Sequence, residues 1–82
     1  MGEEQKESVA RAFGKTLRRH RKARGWTQEQ LALESGHQRV FISWLENGQK
    51  QASMTTLFSL AQTLEVSPSQ FICEVEKELA ED

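Results

Sequence analysis

The sequence is poor in the residues that carry most covalent and structural chemistry. It has one cysteine, Cys73, so no disulfide can form within the chain and no pair of thiolates can hold a metal. It has one proline and no tyrosine among its 82 residues. No apolar run approaches the ~20 residues that a bilayer span needs. The first residues, MGEEQKES, are polar and acidic, unlike a secretory or transit peptide, and cytoplasmic residence is expected. Paired carboxylates, a nucleophile with its base and a glycine-rich phosphate loop are all lacking, so no catalysis, metal or cofactor is expected. With 37% hydrophobic and 28% charged residues, the composition is that of one small folded domain over residues 1–82 rather than a disordered chain. A core of this size is marginal alone, and self-association would help it.

A net charge of −1 conceals strong segregation. Residues 1–10 carry −2. Residues 11–50 carry nine basic residues (Arg11, Lys15, Arg18, Arg19, Arg21, Lys22, Arg24, Arg39, Lys50) against three acidic ones, a net +6. Residues 51–82 set Lys77 against six acids, a net −5. Binding to a polyanion depends on the local field and not on the total, so the middle of the chain is suited to nucleic acid.

The apolar pattern is helical throughout. Val9, Phe13 and Leu17 recur every fourth residue, which predicts a first helix over 8–24, after a polar tail at 1–7 and closed by Gly25. Thr27-Gln-Glu-Gln30 fits a capping box with Trp26 as the staple before it, opening a second helix over 28–35. Gly36 stops that helix. A third is predicted over 38–47, with Ile42 and Leu45 inward and Gly48 beyond its end. A fourth starts at Ser53 and turns Leu57, Leu60, Ala61 and Leu64 inward. Ser67-Pro-Ser-Gln70 reads as a second capping box with proline at the first helical position, so a fifth helix runs from Pro68 to about Leu79, before a fraying end. No stretch alternates as a strand would. The expected fold is all-α, with five short helices.

Two short helices joined by Ser35-Gly36-His37-Gln38 have the spacing of a helix-turn-helix, and Gly36 suits the left-handed position such a turn needs. The stretch LRRHRKARGWTQEQLALESGHQRVFISWLENG (Leu17–Gly48) and its continuation TLFSLAQTLEVSPSQF (Thr56–Phe71) resemble the lambda-repressor-like family, also called Cro/Xre. The size is similar to that of its stand-alone members, such as restriction–modification controller proteins and small phage-type repressors. The resemblance implies a five-helix domain whose third helix enters the major groove of double-stranded DNA. It places base contacts at Gln38, Arg39, Val40 and Ser43. It places backbone contacts at Gln28, Trp44, Asn47, Gln49 and Lys50, and a structural ion pair at Arg21 and Glu46. The chain departs from the usual pattern at Gln38, a weaker cap than Ser or Thr. It also departs at His20 and His37, where aliphatic residues are usual, at Trp44, and at Glu65, which replaces a common glycine.

Elementary chemistry supports these roles separately. An arginine in a helix's first turn can fork onto guanine O6 and N7, and a valine offers only an apolar surface suited to a thymine methyl. The basic run Arg18–Arg24 is either a solvated face or a flank of the DNA surface. Trp44 reads as packing or as backbone contact. His20 and His37 could pair only if the fold joined them, and two ligands do not make a zinc site. Cys73 reads as a small core or interface residue. Leu33 and Phe58 are extra core residues or a contact patch. On the fifth helix, Ile72, Val75 and Leu79 form an apolar stripe. It is expected to be a two-fold dimer contact in preference to a seat for Val9 and Ala10. Together these readings give a sequence-specific transcriptional regulator that binds a palindromic operator as a homodimer. The competing reading is an antitoxin or adaptor that uses the same fold to dock a protein.

Overall fold

The computed structural model describes residues 3–81, which form α1 (Glu3–Ala23), α2 (Gln28–Ser35), α3 (Arg39–Glu46), α4 (Met54–Thr63) and α5 (Pro68–Glu81). Among the described residues there is no strand. Each start follows from local chemistry. Thr27 and Gln30 form the full capping box: the Gln30 backbone N–H donates to Thr27 Oγ1 at 3.1 Å, and the Thr27 N–H donates to Gln30 Oε1 at 2.8 Å. Ser53 caps α4 by accepting from the Thr56 N–H at 3.0 Å. At α5 only half of the expected box forms. Ser67 Oγ accepts from the Gln70 N–H at 3.1 Å, but the Gln70 side chain turns forward to Glu74 Oε2 at 3.0 Å. There the Gln70 amide donates to a carboxylate one turn ahead, a charge-assisted bond stronger than the neutral one it would accept from the Ser67 N–H.

Two predicted boundaries move outward. The polar tail assigned to residues 1–7 is helical from Glu3, five residues before the expected start of α1. Glutamate, glutamine and lysine are good helix formers, and acidic groups in a first turn favour the helix dipole. The extension is also tied down, because Gln51 Nε2 donates to the Lys6 carbonyl at 2.7 Å. At the other end α5 continues past Leu79 to Glu81, through residues of high helix propensity.

The core is built around Leu17, Leu31, Ile42, Leu45, Leu60 and Phe71, all fully buried. Such side chains each contribute roughly 1.5–3 kcal/mol through removal from water. Thr16 is buried with them, and its hydroxyl is satisfied by the Ala12 carbonyl at 2.9 Å. Trp26 packs against this cluster from its edge. The helix α1 lies across both α5 and α3. The Phe13 and Phe71 rings meet at 5.1 Å, and His20 stacks on Phe71 at 5.7 Å. This arrangement corrects the reading of the α5 stripe. Val75 is buried in the core, Leu79 packs against it, and only Ile72 is open, at 45% exposure. Phe13, Arg19 and His20 of α1 lie against α5, while the first turns of α1 run beside the α3–α4 loop at Gln51.

Gly14 marks the closest approach in the fold. A methyl group there would sit 2.4 Å from the Leu45 carbonyl oxygen and 2.6 Å from that of Glu46. The absence of a side chain lets α1 press directly on the end of α3.

Candidate nucleic-acid interface

The turn between α2 and α3 is set by Gly36, whose φ of +76° lies in the left-handed region, and by the His37 N–H, which donates to the Ala32 carbonyl at 2.9 Å. Beyond it, α3 turns Ile42 and Leu45 into the core and leaves the opposite side open. Arg39, Val40, Trp44 and Asn47 are exposed there, and Ser43 is half-buried. Asn47 Nδ2 reaches Ser43 Oγ at 3.5 Å, one turn back along the same side. Gln38 precedes the helix with no side-chain cap bond, so its amide is uncommitted and exposed.

A buried clamp fixes this helix. Arg21 meets Glu46 in a two-pronged pair: Nε donates to Oε2 at 2.7 Å and Nη2 to Oε1 at 3.0 Å. The side chains are 8% and 1% exposed, so the carboxylate has little access to water. Arg21 Nη1 also donates to the Trp26 carbonyl at 2.7 Å, and Gln28 Nε2 donates to Glu46 Oε1 at 3.0 Å. One carboxylate at the end of α3 thus gathers α1, the α1–α2 turn and the first residue of α2. The part of Gln28 that the structure displays is bracing.

Past α3, Gln49 and Lys50 are exposed on a loop that Gly48 admits, with φ +71° and the Arg11 side chain 2.9 Å from where a Cβ would lie. Lys50 Nζ stands 4.9 Å from the centre of the Trp44 ring, a cation–π contact that holds the ammonium beside α3.

The basic middle of the chain is less free than its sequence suggests. Arg19 bridges Glu74 at 3.1 Å and Glu78 at 2.9 Å, and Arg24 pairs with Glu65 at 2.7 Å while lying over the Trp26 ring. Arg18, Lys22, Arg39 and Lys50 form no ion pair among the described residues and are exposed. The two histidines do not meet as a pair. His20 Nε2 lies 2.8 Å from Glu74 Oε1, whereas His37 packs on Phe41, ring centres 5.2 Å apart. Gln70, Arg19 and His20 together hold the Glu74 carboxyl down to about 2, against a cost of burial. No cluster of metal-ligating side chains occurs among the described residues, and no helix is long and apolar enough to cross a membrane.

Sequence reasoning missed Gly14 and the Glu74 network. An isolated glycine inside an amphipathic helix is a readable sign of close approach. Arg19 and His20 lie more than fifty residues from Glu74, and nothing local signals that they meet it.

Comparison with known proteins agrees with this geometry. A helix-turn-helix family model matches residues 17–71, about two thirds of the chain. The HTH-type transcriptional regulator y4dJ of Sinorhizobium fredii is 33% identical over 64 residues, covering 78% of this chain and 83% of its own. Antitoxin HipB of Escherichia coli K12 is 40% identical over 47 residues; the match spans 57% of this chain and only about half, 53%, of HipB. Among solved structures, the restriction–modification controller protein C.Esp1396I, crystallised as a tetramer with its natural 35 base-pair operator, superposes with a TM-score of 0.80. It is 28% identical, over 88% of this chain and 95% of that one. On fold, turn and sequence alike, the chain belongs to the helix-turn-helix family of transcriptional regulators.

Proposed function

We propose that this chain is a sequence-specific DNA-binding regulator that recognises a palindromic operator as a homodimer and acts by binding, without catalysis, in the cytoplasm. The observation that carries the reading is the clamped α3. A short helix with an open side of mixed polar and apolar residues is locked by a buried Arg21–Glu46–Gln28 cluster, as a rigid reading head requires. On this reading Gln38, Arg39, Val40 and Ser43 face base edges, with Arg39 on a guanine. Lys50, Gln49, Asn47, Trp44 and the amide of Gln28 lie along the phosphates, which position the helix and carry no sequence information. The operator complex of C.Esp1396I supports a DNA partner for this fold. Dimerisation would use the part of α5 around Ile72, since Val75 and Leu79 are already engaged within the chain.

The test is selection of bound duplexes from a random pool, followed by titration at several salt concentrations. Log affinity should fall against log salt by about 0.9 for each phosphate neutralised. Arg39→Ala should flatten the preference at one symmetric pair of positions, by ~1–3 kcal/mol, and keep most nonspecific affinity. If wild type and Arg39→Ala rank every substituted site identically, Arg39 is not a reader. The similarity to HipB supports a second reading, an antitoxin that docks a protein partner. Salt-insensitive, sequence-blind DNA binding would favour it.

A further inference from the structure

A cleft of about 240 Å³ opens where the start of α1 passes the loop between α3 and α4. Lys6 and Glu7 form one wall, and Gln49, Lys50 and Gln51 the other. Ala10 and Gly48 also line it, with little or no side chain to fill the space. The two walls are joined by the bond from Gln51 Nε2 to the Lys6 carbonyl at 2.7 Å. The cleft continues from the open side of α3, because Lys50 belongs to its wall while its ammonium stands 4.9 Å from the Trp44 ring. Lys6, Glu7 and Lys50 are exposed, so two cations and one carboxylate border the opening.

We propose that this cleft takes one phosphate of the operator backbone, held between Lys6 and Lys50, so that the start of α1 grips DNA beyond the helix-turn-helix and its loop. The proposal rests on the operator-binding reading given above, which lays Gln49 and Lys50 along the phosphates. A phosphate that enters the cleft beside Lys50 meets Lys6 on the opposite wall. An ammonium binds phosphate as a point charge with three rotatable donors, so two of them on facing walls can meet different oxygens of one phosphate. Gln51 is the positioning residue. The end of a helix is the first part to fray, and the Gln51 bond to the Lys6 carbonyl fixes Lys6 beside the loop. Glu7 opposes the phosphate and limits the strength of the grip. Such a contact adds affinity and salt dependence without reading sequence. The helix-turn-helix family match begins at residue 17, so Lys6 lies outside the part of the chain that carries the family pattern.

The experiment uses the intact chain and a duplex selected from the random pool, with affinity measured by fluorescence anisotropy over a series of salt concentrations. Lys6→Gln and Glu7→Gln each keep a good helix former in place, and circular dichroism checks that helicity is unchanged. Lys6→Gln should weaken binding about two- to fivefold per protomer, equally on the selected duplex and on a scrambled one. It should also lower the slope of log affinity against log salt by about 0.9 per protomer. Glu7→Gln should strengthen binding, an outcome that loss of structure cannot give. Gln51→Ala should weaken the wild type yet add nothing to Lys6→Gln, because Gln51 acts through Lys6. A neutral methylphosphonate placed at each phosphate in turn should locate one position per half-site that costs the wild type affinity and leaves Lys6→Gln unaffected. The proposal is overturned if Lys6→Gln keeps the wild-type slope, if Glu7→Gln binds no more tightly than the wild type, or if no methylphosphonate position separates the two proteins. A chain that selects no duplex at all overturns the operator reading and this one together.

Discussion

Replacing Gly14 by alanine tests the packing that holds α3 in place, because two effects of opposite sign compete there. In an unhindered helix interior the change should stabilise by about 1 kcal/mol, since alanine loses less freedom on folding. Here the added Cβ would lie 2.4 and 2.6 Å from the carbonyl oxygens of Leu45 and Glu46, and 2.9 Å from the Glu46 carbonyl carbon. These are backbone atoms and cannot rotate away. Relief requires α1 and α3 to separate, and overpacking of this kind typically costs 1–3 kcal/mol or more. The separation also pulls on the Arg21–Glu46 pair, which spans the same two helices. Overlap this deep with backbone puts the cost at the upper end, about 3 kcal/mol, so it should win with a net loss of about 2 kcal/mol. In a domain of this size that lowers the melting temperature by about 4–8 °C per kcal/mol. Thermal unfolding followed by circular dichroism reads it directly. A Gly14→Ala protein as stable as the wild type would refute the reasoning, for it would mean that α1 is not seated on α3 as described.

Removing one side of the clamp should be costly: Glu46→Ala strands the buried Arg21 guanidinium and frees Gln28, with an expected loss of about 3 kcal/mol in chemical denaturation. The Glu74 carboxyl, held at about 2 by Gln70, Arg19 and His20, contributes stability at pH values above the ordinary carboxylate range near 4.5. That contribution is lost as pH falls from about 5 towards 2, and Glu74→Gln should flatten this part of a stability–pH curve; an unchanged curve would count against the network. Glu65 sits at φ +60°, strained for a residue with a side chain, and its pair with Arg24 is exposed. Glu65→Gly should accordingly raise stability by roughly 0.5–1 kcal/mol, and a lower melting temperature would show that the Arg24 pair outweighs the strain.

Five helices, their order and the turn at Gly36 were legible because each is written locally, in the four-residue spacing of Phe13 and Leu17 or the Thr27–Gln30 cap. The Arg21–Glu46 contact was legible only through the family resemblance, since no short-range pattern ties residues 25 positions apart. What escaped was long-range or subtractive. Val75 and Leu79 looked unpartnered because the cover they receive depends on how the other helices pack against α5, which no local pattern records. The pairing of Arg19 and Arg24 with acids from α4–α5 and its loop was equally invisible, so the free cationic surface is narrower than the net +6 of residues 11–50 implies. Gly14 was visible as a residue but not as a contact, because its meaning lies in two carbonyls thirty residues further on.

The clamp on α3 also bears on how such a protein can change over generations. Arg21, Gln28 and Glu46 hold the helix from its inner side and end, and none of them shares the open side with Arg39, Val40 or Trp44. Exchanges at those exposed positions should alter stability by no more than about 0.5 kcal/mol each. Copies of the gene could therefore drift to new target sequences, one exposed residue at a time, without passing through an unfolded ancestor.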